Sequence, residues 1–182
     1  ATLLGTAANP EHLVTYRFGK GDMATQWTES NLLFALDAEA GRLEWTWKPE
    51  RSIRHNAFAV GGGRVFLIDR KMALGDRTRE ARVGTPDAGA EHQAGALVAL
   101  NLADGQVAWK SSDGAYGALL ALSAEHDPLL VCYQNWRFKL ASELGGRMAA
   151  FESSNGRKRW DFEASYLTRP ILNGRTVYLQ PG

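Results

Sequence analysis

The sequence predicts an all-β chain of four-stranded antiparallel blades, a β-propeller arrangement with about three and a half blades present in an incomplete ring. Two observations predict it. An eleven-residue pattern, with a small residue first, glycine seventh and tryptophan eleventh, occurs three times and ends at Trp45, Trp109 and Trp160. A pair of short apolar runs joined by a turn signal precedes each copy and follows the last one. The tryptophans are offset by 64 and 51 residues, a period at which each repeat is one small sheet that covers its faces only by stacking on its neighbours.

The elements follow in order. The first blade spans about 1–49, with strands expected at Ala1–Ala7, at Leu13–Phe18 after a turn at Asn9-Pro10, and at Leu32–Leu36 before the return to Trp45. The second spans about 53–112: Asn56–Val60, a turn at Gly61–Gly63, Val65–Asp69, Ala96–Leu100 and the return to Trp109. In the third, about 115–164, Gly117–Ser123 turns at Asp127-Pro128 into Leu129–Tyr133, and Met148–Phe151 returns to Trp160. A half blade, about 166–182, holds Leu167–Leu172, the turn Asn173-Gly174 and Thr176–Gln180.

Within each copy the pattern reads as a hairpin. Ala35, Ala99 and Ala150 close an apolar strand, and Asp37, Asn101 and Glu152 stand where a side-chain oxygen can accept bonds from turn amides. Gly41, Gly105 and Gly156 supply the positive φ that the reversal needs.

Composition narrows the class. The chain has 182 residues, 45% hydrophobic and 23% charged, which suits a folded chain and not a disordered one. A net charge of +1 argues against nucleic acid or an anionic membrane surface as the main partner. One cysteine, Cys132, leaves no disulfide within the chain and no thiolate zinc cage. No apolar run approaches the roughly 18 residues of a membrane-spanning helix.

The Ala-x-Asp-x-x-x-Gly-x-x-x-Trp pattern resembles the tryptophan-docking motif of the quinoprotein propellers, the PQQ-like repeat family. The likeness covers essentially the whole chain. It is best at Ala35–Trp45 and weaker at Ala150–Trp160, where Glu152 replaces the aspartate. The resemblance implies that Trp45, Trp109 and Trp160 lock adjacent blades together, and that a complete ring holds about eight blades. The remainder is then expected from missing blades of the same, longer protein, or from a second chain. It also implies a periplasmic or secreted location, with which a single cysteine and the lack of an Asn-x-Ser/Thr site agree.

Function is expected on the rim that carries the loops from second to third strands and from each blade to the next. The longest such stretches are Gly19–Asn31, Arg70–Gly95 and Asn135–Arg147, read as irregular. Arg51, Arg54, His55 and Asn56, ahead of a first strand, could face a ligand on that rim, against the plainer reading of solvated surface. Trp136 and Arg137 could stack on or pair with a planar anion, unless the aromatics fold back on their own blade.

No catalytic residue and no metal site emerges. The histidines His12, His55, His92 and His126 are too scattered for a metal motif. Gly19–Ala24 lacks the helix that a dinucleotide fingerprint requires. The expected function is a non-catalytic platform, with another protein as a partner at the rim. The alternative is part of a PQQ-dependent alcohol or sugar dehydrogenase, which would need the quinone, calcium and a carboxylate base. Alcohol dehydrogenases of that family also carry an adjacent cysteine pair, by resemblance, and Cys132 stands alone.

Overall fold

A computed structural model describes residues 1–18, 21–72, 95–113, 119–123, 125–133 and 146–182, with the backbone alone at 14–18, 21–26 and 56. The described residues form fifteen strands and no helix: β1 (Thr2–Ala8), β2 (Leu13–Phe18), β3 (Gly21–Trp27), β4 (Glu29–Asp37), β5 (Leu43–Trp47), β6 (Ser52–Gly61), β7 (Arg64–Arg70), β8 (Gly95–Asn101), β9 (Val107–Ser111), β10 (Leu119–Leu122), β11 (Pro128–Cys132), β12 (Arg147–Glu152), β13 (Lys158–Glu163), β14 (Ile171–Asn173) and β15 (Thr176–Tyr178). Every pairing between them is antiparallel.

Two blades have four strands in order, β6-β7-β8-β9 and β10-β11-β12-β13. The first blade departs from expectation. Thr2–Ala8 pairs with β4 (Leu4 opposite Ala35), as β7 pairs with β8 (Phe66 opposite Ala99) and β11 with β12 (Leu130 opposite Ala150). Thr2–Ala8 is therefore a second strand of its blade and not a first. Leu13–Phe18 pairs with β3, so β2 and β3 make a separate two-stranded ribbon inside the connection from β1 to β4. Most of Gly19–Asn31, expected to be irregular, is thus strand. The half blade is also shorter than expected: β14 begins only at Ile171, just beyond Pro170, which has no amide hydrogen for a ladder. Residues 73–94 of the loop Arg70–Gly95 and residues 135–145 of the loop Asn135–Arg147 lie outside the described residues.

The core lies in the seams between blades, because alternate residues of each inner strand face opposite ways. From β7 and β8, Val65, Leu67, Val98 and Leu100 pack against Leu33, Ala35 and Trp45 of the first blade. From the same strands, Phe66, Ile68, Leu97 and Ala99 pack against Leu120, Leu129, Val131, Ala149 and Phe151 of the third. A third seam holds Leu130, Cys132, Tyr133, Met148, Ala150 and Tyr166, with Leu172 and Val177 of the half blade against it. Near-continuous burial along β7 and β8 is what a sheet covered on both faces requires.

The three repeat turns share one geometry. Gly41, Gly105 and Gly156 donate their amides to the carbonyls of Asp37, Asn101 and Glu152 at 2.8, 2.9 and 2.8 Å, with φ of 64°, 70° and 76°. Asp37 Oδ1 also accepts from the amides of Glu39 and Ala40 at 2.9 and 3.3 Å. Those bonds hold its carboxyl below the ordinary range. Glu152 serves its turn differently, accepting from Asn155 Nδ2 at 2.8 Å and from the Arg157 guanidinium.

Candidate functional site at the ribbon-bearing rim

Two kinds of site were expected from the sequence, the docking positions and the rim. At the first seam the indole of Trp45 lies over the turn of the next copy, its Nε1–H donating to the carbonyl of Leu102 at 2.9 Å. Gly105 is the floor beneath it: a Cβ there would come within 2.5 Å of Trp45 Cε3. The second seam repeats this, with Trp109 Nε1–H donating to the Ser153 carbonyl at 2.9 Å and its ring over Gly156. Arg64 adds two bonds of 2.7 Å to the Ser153 and Ser154 carbonyls. Trp160 is placed otherwise, 37% exposed with its ring 5.0 Å from that of Phe162, and the Cβ direction of Gly41 meets nothing within 4 Å.

The rim cluster is a correction to the sequence reading. Arg54, His55 and Asn56 lie within β6, and Arg54 is buried instead of solvated. The cause is β4, whose first residues cross to the second blade and pair with β6, Glu29 opposite Arg54 and Ser30 opposite Ile53. That register sets the buried Glu29 carboxylate 3.2 Å from the Arg54 guanidinium. Ser52 donates its hydroxyl to the other Glu29 oxygen at 2.8 Å. A buried ion pair needs such additional bonds to offset its desolvation.

Around this pair the polar groups continue. His55 Nε2 meets the Ser30 hydroxyl at 2.5 Å, and burial pushes the His55 imidazole below its ordinary value although the Glu29 carboxylate opposes this. Asp69, at the end of β7, accepts the amides of Glu50, Arg51 and Ser52 at 2.7, 3.0 and 3.1 Å. Its carboxyl is pushed up by burial, with those amides pulling back. Arg51 is exposed, and its backbone amide donates to Asp69. The side chain of Asn56, and the whole of Trp136 and Arg137, lie outside the described residues.

This polar floor roots the β2–β3 ribbon. His12, fully buried before β2, shares a hydrogen bond of 2.9 Å with the Thr28 hydroxyl after β3. The His55 amide donates to the Thr28 carbonyl at 3.1 Å, and the Asn9 amide to the Glu29 carbonyl at 2.8 Å. Above this root, Leu13 and Trp27 stand opposite each other, 42% and 55% exposed. A cleft of about 240 Å³ opens beside it, lined by Leu4, Gly5, Thr6, Leu33, Ile53, His55 and Phe58.

Glu29, Ser30, Ser52 and Asp69 escaped the sequence reading. Each sits within one or two residues of a strand end, and nothing local marks which of many polar residues a pairing between blades will bury. Among the described residues no group of three or more His, Cys, Asp or Glu is arranged to hold a metal ion. The buried rim carboxylates Glu29 and Asp69 are engaged by Arg54, Ser52 and three amides.

Comparisons with known proteins bear on the fold. Residues 9–161 match the family model described as outer membrane protein assembly factor BamB. Among solved structures, BamB from Moraxella catarrhalis superposes with a TM-score of 0.51 at 14% identity, over 99% of this chain and 60% of that one. The chain thus spans 60% of the length of that relative. A europium-containing methanol dehydrogenase gives 0.48 at 14% identity, over 89% of this chain and 27% of its own. The quinohemoprotein alcohol dehydrogenase from Comamonas testosteroni gives 0.46 at 14%, over 89% and 23%. No curated protein sequence matches the chain.

Proposed function

Since the chain belongs to the BamB family of PQQ-like propeller repeats, we propose that it is a non-catalytic binding platform, engaging a protein partner at the rim that carries the β2–β3 ribbon. The observation that carries this reading is the exposed Leu13–Trp27 pair on a ribbon rooted in a buried polar network. A large aromatic beside an aliphatic residue, held on a rigid foot, is the kind of anchor on which protein interfaces concentrate their energy. The ribbon also pairs with no other described strand, so its edges can accept an extended segment of a partner.

The matched family model bears the name of an outer membrane assembly factor. This supports a partner drawn from outer-membrane protein assembly and a periplasmic site of action. The quinoprotein dehydrogenase remains the competing reading, and the engaged state of Glu29 and Asp69 counts against it.

Photo-crosslinking tests the platform. A photoreactive residue at Arg51, on the ribbon rim, is expected to trap a discrete protein partner in a bacterial periplasm. One at Ala103, in a turn between third and fourth strands on the opposite rim, is expected to trap none. Trp27→Ala should lower the Arg51 crosslink about tenfold, the loss of an anchor of roughly 1.4 kcal/mol or more. Equal crosslinking from both rims would overturn the assignment.

A further inference from the structure

The exit of the ribbon converges on one residue. Trp27, the exposed anchor, ends β3, and Thr28, Glu29 and Ser30 lead straight into β4. His55 of β6 holds all four. Its amide donates to the Thr28 carbonyl at 3.1 Å, its imidazole donates to the carbonyls of Trp27 and Glu29, and its Nε2 meets the Ser30 hydroxyl at 2.5 Å. His55 keeps part of its surface in solvent, where protons reach it, whereas Ser30 is fully buried.

Proton uptake rewrites these bonds. With one ring N–H spent on the carbonyls, the neutral ring offers Nε2 as the acceptor for the Ser30 O–H. A second ring proton turns Nε2 into a donor, so the Ser30 hydroxyl must reverse, and its own proton loses that acceptor inside the core. The new charge also lies beside the buried Arg54 guanidinium, and the Glu29 carboxylate faces both. His12 stands across Thr28, sharing a hydrogen bond with its hydroxyl. The cleft beside the ring contributes Leu4, Gly5, Thr6, Leu33, Ile53 and Phe58, none of which titrates. Burial accordingly holds the imidazole below its ordinary value.

We propose that His55 is a proton-operated seat for the Trp27 anchor: the neutral imidazole fixes the exit of the ribbon in its binding pose, and protonation releases that exit and, with it, the partner. Release of a partner rests on the platform reading; the change at Trp27 does not.

Fluorine NMR on the full chain labelled with 5-fluorotryptophan tests the seat without a partner. The six tryptophans give six resonances, and single Trp→Phe variants assign those of Trp27, Trp45 and Trp109. Between pH 7.5 and 5 the Trp27 resonance is expected to shift with one midpoint below 6.5, while those of Trp45 and Trp109, in the seams, stay in place. In His55→Gln, whose amide keeps a donor and an acceptor at every pH, the shift should be lost. The ring supplies a second measurement in the unaltered chain: the proton on His55 Cε1 should titrate with the Trp27 midpoint. A Trp27 resonance that ignores pH, that titrates equally without His55, or that follows a different midpoint from the ring would overturn the seat. Seam resonances moving with it would do the same, since acid would then be loosening the whole stack. In periplasmic extract brought from pH 7.5 to 5, the crosslink from Arg51 should be lost in wild type and kept in His55→Gln; a wild-type crosslink indifferent to acid would overturn the coupling to a partner. No crosslink at any pH would contradict the platform reading alone, the resonance still deciding the seat.

Discussion

At the residue scale, the sharpest contrast is among the three repeat glycines. All have positive φ, yet Gly105 and Gly156 also lie under an indole and Gly41 does not. Gly41→Ala should therefore cost about 1 kcal/mol of backbone strain. Gly105→Ala adds a collision with Trp45 and should cost about 2–4 kcal/mol. Urea unfolding of the two variants checks the difference; equal losses would mean that the turn conformation, and not the indole above it, sets the demand for glycine. Cys132 offers a second check. Burial pushes its thiol up to about 12, so at pH 8 it stays protonated, and iodoacetamide should modify it only when denaturant opens the third seam. The glycines and tryptophans were legible in the sequence because each is a residue type that its geometry demands. Arg54 was not, because a side chain on a strand reads as surface until the strand that covers it is known.

At the scale of elements, the joint between β4 and β6 carries the most electrostatic consequence. Removing one partner of the Glu29–Arg54 pair, as in Glu29→Ala, leaves a buried charge and should cost about 3–5 kcal/mol. The double variant Glu29→Leu/Arg54→Met removes both charges and should cost less than Glu29→Ala alone. A double variant as damaging as the sum of two single ones would show that the pair is not coupled. His55 gives the same joint a pH dependence. Its imidazole is held below the ordinary value of 6.5, so its neutral form is favoured in the folded chain. The stability that this contributes is fully present above pH 6.5 and is lost as pH falls through the folded value. Comparing wild type with His55→Gln from pH 7.5 to 5 isolates it: the gap between their urea midpoints should narrow toward acid. Strand existence here followed from apolar runs and turn residues, so β7, β8, β11 and β12 came close to expectation. Partner choice did not follow. Thr2–Ala8 and Leu13–Phe18 read as one hairpin because they are neighbours in the chain, whereas β1 finds its register on β4, where Leu4 meets Ala35 and Gly5 receives the Phe34 ring.

At the scale of the whole molecule, the described chain is a stack of blades whose cores are its seams, with a polar joint under a ribbon at one rim. The repeat made the stack legible, since its period forces each sheet to cover its neighbour. The rim was legible only as a place, because which polar residues are buried there depends on pairings between blades. The central claim is that this rim binds a protein and does not cradle a redox cofactor. Titrating the chain with PQQ and excess calcium, while following the visible spectrum of the quinone and the thermal unfolding midpoint, tests it most directly. The expected result is an unchanged spectrum and an unchanged midpoint at ligand concentrations up to about 100 µM, since ligand that binds the folded state at a hundredfold excess over Kd would stabilise it by about 2.7 kcal/mol. A saturable spectral shift with a parallel rise in the midpoint would contradict it.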